Sequence, residues 1–372
     1  MSPATLKELP PLEAMTTAKD FETAGRANLD ALALGYISGG WQDTIDRNIS
    51  EFDNFLLRPR VLKDVSKVDT TTKLFGLPTG LPVYLSGVAK GKLVSRKEGE
   101  ASFVRAAEKA GSTYLVPVNS SLSLKDIWGH CAPNQKLGFQ CYLLHDEKAS
   151  MDWLDEALSY GAAYVAITVD ANAPRSGTFG ASTATVLSGA AISSKLNWER
   201  LAEIRARIPA TTPVYLKGIQ IAEDALQAAR LGYKGIICSN HGGRSAPDQI
   251  SSLASLEEIS NALRSAGYLN LGQDSSFELY LDGGLRSGRD VFKALCLGAR
   301  GVGIGRPYYW ASACYGQAGI EALLKIFQHE LRVTMEQVGA TSLEELGPWF
   351  LARITPAPQP LAWMPAQVTA KL

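Results

Sequence analysis

Eight short apolar runs, each followed by a segment with helical spacing, predict an α/β fold: a (β/α)8 TIM barrel with an N-terminal helical extension. Two further observations point the same way. The runs are apolar on both faces, as strands of a parallel sheet buried between helices must be. Polar residues then gather at the ends of six consecutive runs, where barrels keep their reactive groups. A doubly wound open sheet is the rival, but no GxGxxG follows the first run.

The order of elements begins with residues 1–80, an extension that packs on the barrel and holds one good helix, near 18–36. The barrel is expected over 81–340 and a C-terminal tail over 341–372. The strands are PVYLSGV (82–88), TYLVPV (113–118), LGFQCYL (137–143), YVAITVDA (164–171), PVYLKGI (213–219), GIICSN (235–240), FELYLDGG (277–284) and GVGIGR (301–306). Each is rich in β-branched or aromatic residues. Between them, EGEASFVRAAEKAG, ASMDWLDEALSYG, NWERLAEIRARI, AEDALQAARLG, SLEEISNALRSAG and SGRDVFKALCLGA repeat apolar residues at three- and four-residue spacing. Several end in glycine, a common helix stop. A long helix, roughly 319–338, follows the last strand. Residues 176–194 carry no charge and read as a mobile loop over the barrel mouth.

Composition narrows the classes. Of 372 residues, 46% are hydrophobic, so a large core can be buried. Lys+Arg and Asp+Glu are equal at 37 each, and the pI is near 6.9. No charge excess points to nucleic acid or an anionic membrane, and no run is long and apolar enough to span a bilayer. The N-terminus lacks the apolar core of a signal peptide. The five cysteines, Cys131, Cys141, Cys238, Cys296 and Cys314, form no CxxC, which predicts free thiols in a reducing compartment. The terminal Ala370-Lys371-Leu372 is a near variant of a peroxisomal address. It predicts a peroxisomal protein in a eukaryote and a cytoplasmic one otherwise.

The candidate site residues are Gln140 and Tyr142 on the third strand, Thr168 and Asp170 on the fourth, and Lys217 on the fifth. Ser239, Asn240, His241 and Arg244 follow the sixth; Asp282, Gly283, Gly284 and Arg286 end the seventh; Gly303, Gly305 and Arg306 end the eighth. The last two groups pair glycines, which let backbone N–H groups approach a ligand, with an arginine and a following helix N-terminus. That is a phosphate site at the usual barrel position. His241 can take a proton near neutral pH, Asp170 can orient it, and Arg244 can hold an anion. His130, His145 and His329 sit in ordinary loop or helix contexts, and no HExxH or His-rich spacing predicts a metal.

The segments LKGIQIAEDA, GIICSNHGGR and LDGGLRSGRDVFKALCLGARGVGIGRP resemble the FMN-dependent α-hydroxy-acid oxidase and dehydrogenase family, which includes glycolate oxidase, lactate oxidase and the flavin domain of flavocytochrome b2. NFLLRPRVLKDVSKVDTTT, EGEASFVRAA, FQCYL and ITVDA match more weakly, and the likeness runs from about residue 20 to 339. The resemblance implies FMN as cofactor, a small anionic substrate and a homotetramer, and the terminal Ala370-Lys371-Leu372 points to molecular oxygen as electron acceptor, because peroxide-producing oxidases suit peroxisomes. It implies His241 as the base that takes a substrate proton as hydride passes to flavin N5, with Asp170 as its partner. It implies Arg244 on the substrate anion, Tyr142 near the reacting oxygen, and Lys217 beside the pyrimidine end of the flavin. Gly87, Val88, Ala89, Gln140, Thr168 and Ser239 are implied to contact the flavin or its chain. Gly283, Gly284, Arg286, Gly305 and Arg306 are implied to hold the ribityl phosphate, and Asp282 to bind the cofactor.

The chain departs from the family where the substrate carboxylate is clamped. Gly35 stands in place of the first of two tyrosines, and Tyr36 matches only the second. Thr178 or Phe179 falls where the family has an arginine, with Arg175 nearby. Ser86-Gly87-Val88-Ala89 replaces APTA, and Pro117 replaces a serine. These departures predict a substrate larger than lactate. The alternative is a tailoring enzyme of an unusual metabolite, an isomerase, lyase or decarboxylating oxidase. A non-catalytic FMN-binding barrel is a third reading, and the retained His241, Arg244 and Lys217 argue against it.

Overall fold

A closed ring of eight parallel strands organises the computed structural model, which describes residues 8–171, 193–270, 275–354 and 356. The strands are β1 (Val83–Leu85), β2 (Leu115–Pro117), β3 (Gly138–Cys141), β4 (Tyr164–Thr168), β5 (Val214–Ile219), β6 (Gly235–Cys238), β7 (Glu278–Asp282) and β8 (Gly301–Ile304). Each pairs in parallel register with its neighbours in sequence, and β8 returns to β1. The ring closes between β1 and β2 through one parallel bridge, Leu85 to Tyr114, in which the Leu85 N–H donates to the Thr113 carbonyl at 3.1 Å. Helices follow the strands, as the alternating pattern predicts, and one face of every strand packs against them in the main core.

The other strand face fills the barrel. Tyr84, Leu115, Tyr164, Ala166, Tyr215, Ile237 and Tyr280 form a separate inner cluster with Leu74 and Phe75. Those last two come from a hairpin, Thr72–Leu74 paired antiparallel with Leu77–Thr79, that plugs the amino end of the barrel. Phe75 and Gly76 make its two-residue turn with φ of 53° and 80°, the paired positive values that a tight hairpin needs. The Phe75 ring stacks on Tyr164 at 4.0 Å and on Tyr280 at 4.1 Å.

The extension differs in detail from its sequence reading. One helix was expected near 18–36, and two are present, Ala18–Asn28 and Ala31–Ser38. The break comes at Asp30, whose carboxylate caps the second helix by accepting from the Ala33 N–H at 2.8 Å. A third helix, Gln42–Ser50, has no counterpart in the sequence reading. The last long helix starts earlier than expected, at Arg306, with Pro307 in its first turn and a kink at Gly316, where φ is 59°. The strand Leu351–Arg353 returns to pair antiparallel with Phe55–Leu57. There Arg353 ties the tail to Glu51 at 2.6 Å and to Glu257 at 2.7 Å.

The run 176–194 lies outside the described residues except for Ser193 and Ser194, and so do Arg175, Thr178, Phe179 and the terminal Ala370-Lys371-Leu372. All five cysteines are unpaired. Among the described residues, no helix is long and apolar enough to cross a membrane.

Candidate active site

Strand ends bring the polar residues together at the carboxyl end of the barrel. The centre is His241, in the loop after β6. Its φ is 60°, and Gly242 and Gly243 follow at 64° and 80°, so three consecutive residues are left-handed. For a residue with a side chain this costs on the order of 1–2 kcal/mol and needs support. Ser239 Oγ accepts from the His241 N–H at 3.0 Å, and Asn240 Oδ1 accepts from the Gly243 N–H at 3.1 Å. Gly243 must be glycine for space as well, since a Cβ there would sit 2.8 Å from Ile45.

The imidazole is bracketed. Asp170 Oδ1 lies 2.9 Å from His241 Nδ1, and Tyr142 Oη lies 3.2 Å from Nε2. Gln140 Nε2 donates to Tyr142 Oη at 3.1 Å and to Thr168 Oγ1 at 2.9 Å. Tyr142 Oη, which accepts from Gln140, can give its own proton to Nε2. The neutral ring then carries its proton on Nδ1, towards Asp170, and presents Nε2 as a basic nitrogen. The Asp170 side chain is only 3% exposed, so the contact that orients the ring is shielded from water.

Beneath this array lies a buried ion pair. Lys217 Nζ is 2.9 Å from Asp282 Oδ2 and donates to Ser239 Oγ at 2.9 Å. Ser239 Oγ in turn donates to Asp282 Oδ1, and Ser86 Oγ reaches Oδ2 at 3.4 Å. Burial pushes the Lys217 ammonium towards neutrality, but Asp282 first, then Asp170 and Tyr142, outweigh it and hold its pKa above the ordinary lysine value. It is a fixed positive charge at the floor of the site.

The arginines are held by backbone. Arg244 Nη2 donates to the carbonyls of Tyr36 and Ile37 at 2.9 and 2.8 Å. Arg306 gives Nε to Ile37, Nη1 to Gly242 and Nη2 to Gly39, all within 3.0 Å. Arg286 Nη1 donates to the Leu285 carbonyl at 3.0 Å. Desolvation, then the charges of Arg244 and Arg286, pushes Arg306 well below the usual arginine range. Desolvation also lowers Arg286, against the opposing pull of Glu22 and Asp290. Half-buried guanidiniums gathered this way make a cradle suited to an anion with several oxygens. Gly305 borders it, with room for a Cβ only 3.3 Å from Val88. Gly283 and Gly284, at φ of 98° and 87°, also lie against the extension: a Cβ on Gly284 would meet the Asn48 carbonyl at 2.1 Å.

Two features of this donor set fit a flavin mononucleotide. The Gln140 Oε1 atom is buried and finds no donor, beside Gly87, whose hypothetical Cβ would lie 1.9 Å away. An orphaned acceptor next to a bare backbone suits the edge of a planar ring with N–H groups, and the arginine cradle suits its phosphate.

All five residues expected to act, His241, Asp170, Arg244, Tyr142 and Lys217, occupy this end of the barrel. The sequence reading missed Asn48, which contacts Asn240, and the carbonyls of 36–39 that hold Arg244 and Arg306. Neither has a local signal. The contacts join residues about 200 positions apart, and backbone carbonyls leave no trace in composition.

The model of the FMN-dependent dehydrogenase family matches residues 25–179 and 175–353. The chain belongs to the FMN-dependent dehydrogenase family. The donor set at the carboxyl end of the barrel fits the FMN of that family. The chain is 31% identical over 373 residues to the L-lactate dehydrogenase (cytochrome) of Wickerhamomyces anomalus, covering 93% of this chain but only 63% of that protein. It thus spans under two thirds of that relative's length. It is 33% identical over 352 residues to human 2-hydroxyacid oxidase 2, covering 88% of this chain and 95% of the relative. Among solved structures of the family, a flavocytochrome b2 variant superposes with a TM-score of 0.87 at 30% identity, covering 99% of this chain and 94% of that one.

Proposed function

We propose that this family member oxidises a 2-hydroxy acid, or a related anionic hydroxylated or amino metabolite, with His241 as the base. The observation that carries the reading is the Asp170–His241–Tyr142 array, at 2.9 and 3.2 Å, beside Arg244 and above the buried Lys217. FMN, when bound, accepts the hydride equivalent. His241 Nε2 takes the substrate hydroxyl proton, and Asp170 stabilises the imidazolium that results. Arg244 pairs with the substrate anion, and Tyr142 orients the reacting oxygen. Lys217 supplies a permanent positive charge at the cofactor's edge. Arg286 and Arg306, with the N–H groups of the glycine turns, hold the phosphate.

A substrate larger than lactate is part of the proposal. Gly35 stands where the family has a tyrosine that reaches the substrate carboxylate, and a Cβ there would meet nothing within 4 Å, so no neighbouring side chain takes that tyrosine's place. Human 2-hydroxyacid oxidase 2 and the peroxisomal (S)-2-hydroxy-acid oxidase of Oryza sativa subsp. japonica support molecular oxygen as the electron acceptor. The peroxisomal name of the rice enzyme, beside the terminal Ala370-Lys371-Leu372, supports a peroxisomal location if the source is eukaryotic and a cytoplasmic one otherwise. A homotetramer completes the proposal.

The test is anaerobic addition of a panel of 2-hydroxy acids, from glycolate to long-chain and aromatic acids, to the yellow protein. Bleaching by the larger acids, abolished in His241→Gln, is expected. Rapid bleaching by glycolate or lactate overturns the size claim. A yellow protein bleached by none of them favours the tailoring reading, to which the open space at Gly35 also points.

A further inference from the structure

The loop that carries His241 is held at several points by one stretch of the N-terminal extension, residues 36–48. The Trp41 N–H donates to the Gly243 carbonyl at 2.7 Å, and the carbonyls of Tyr36 and Ile37 receive Arg244. A further contact comes from Asn48, in the helix Gln42–Ser50. Its amide closes a ring with the amide of Asn240: Asn48 Nδ2 donates to Asn240 Oδ1 at 2.8 Å, and Asn240 Nδ2 donates to Asn48 Oδ1 at 2.8 Å. Both side chains are buried, at 2% and 0% exposure.

Each end of this ring has a second contact that fixes it. Asn48 Oδ1 also accepts from the Ser252 N–H at 3.0 Å, and the Asn48 carbonyl backs against Gly284 in the turn after β7. Asn240 Oδ1 also accepts from the Gly243 N–H, and Asn240 Nδ2 donates to the Ile250 carbonyl at 3.1 Å. The Asn240 backbone carbonyl also accepts from the Gly243 N–H, at 3.0 Å, so the side-chain Oδ1 reinforces that turn contact and does two things at once. It receives the extension, and it closes the left-handed turn whose first residue is His241. That turn is strained, so it keeps its shape only while its surroundings over-determine it.

We propose that Asn48 is a positioning residue for His241: its amide locks Asn240, and Asn240 holds the left-handed turn that aims the imidazole between Asp170 and Tyr142. The proposal rests on the reading of His241 as the base. An amide is required at position 48. Alanine leaves Asn240 with an unmet donor and half of its acceptor contacts. Aspartate keeps the two acceptor contacts but sets oxygen against Asn240 Oδ1. The extension is then a working part of the catalytic end, not only its cover.

The experiment uses the full-length, FMN-loaded protein with Asn48→Ala and Asn48→Asp. FMN content and thermal midpoint establish folding. Anaerobic flavin reduction by the best acid of the panel gives a limiting rate and a half-saturating concentration. Imidazole NMR follows His241 among the chain's four histidines. For folded, yellow Asn48→Ala we expect a limiting rate at least about tenfold lower, a nearly unchanged half-saturating concentration, and a shifted or broadened His241 Nδ1–H signal. Asn48→Asp should fall between alanine and wild type, and it stands in if the alanine variant does not fold. A variant that loses only thermal stability, with wild-type rate and His241 signal, overturns the proposal. If no acid bleaches even the wild type, the functional reading fails by itself. The His241 signal then decides the clamp: a change upholds it and an unchanged signal overturns it.

Discussion

At the carboxyl end of the barrel, polar side chains from six strands meet in a network of short, charge-assisted contacts around His241 and Lys217. At the amino end, an aromatic plug does the filling: Phe75 lies between Tyr164 and Tyr280, with Tyr84 and Tyr215 edge-on at 5.0 Å. The plug is also hydrogen-bonded. Glu278 accepts from the hydroxyls of Tyr215 and Tyr280 at 2.8 Å each, and Tyr280 Oη receives the Phe75 N–H at 2.6 Å. The contrast teaches that one sheet can hold its strain and reactive charge at one end because the other end is closed by packing.

The sharpest break in this comparison is His241→Gln. It should slow flavin reduction by about 10²–10⁴, the range for loss of a positioned base, and leave the thermal midpoint almost unmoved. Anaerobic stopped-flow absorbance alongside a melting curve checks both halves. Phe75→Ala should do the reverse. Removing a fully buried aromatic ring costs about 3–5 kcal/mol of stability, while the FMN-loaded, folded variant should reduce at the wild-type rate. Denaturant unfolding and the same stopped-flow assay read it.

Alkali sharpens the contrast from another direction. Burial, with Asp282 acting on Tyr84 and Glu278 on Tyr215 and Tyr280, raises the pKa of all four barrel tyrosines, Tyr164 by burial alone. The folded state therefore keeps protons that the unfolded chain releases. Stability is fully present below the unfolded tyrosine pKa, near 10, and is lost as pH rises beyond it. Each tyrosine should take away roughly 1 kcal/mol per pH unit. Phenolate absorbance should then rise together with loss of far-ultraviolet circular dichroism, in one step. The smallest effect belongs to Glu278→Gln, which weakens the acceptor of two tyrosine hydroxyls and should cost about 1–2 kcal/mol with no change in reduction rate.

The two ends were not equally legible in the sequence. The carboxyl end announces itself because its elements are local: SNHGGR puts a histidine, the glycines its turn needs and an arginine within six residues. Asp282, Gly283 and Gly284 do the same for β7. The plug is silent for a physical reason. Strands apolar on both faces do not reveal which side faces inward, so Tyr84, Tyr164, Tyr215 and Tyr280 read only as strand formers. The hairpin that delivers Phe75 contributes three residues per strand, too few for a periodic signal. The helix near 18–36 was visible, but its break at Asp30 was not, because a capping aspartate inside an otherwise helical stretch looks like any surface acid. Asn48 shows the remaining limit, as its partners lie at 240 and 252.

The ring of strands has one weak joint. β1 and β2 share a single bridge, whereas their other edges carry full ladders. A barrel fastened this way should breathe at that joint, and amide hydrogens around Leu85 and Tyr114 should exchange with solvent sooner than those of β6 and β7. The segment that leaves the joint on the β1 side is Ser86–Ala89, part of the proposed flavin cradle. Loading the cofactor would therefore draw the seam shut, and the slowing of exchange at Leu85 would report how firmly the ring has been buttoned.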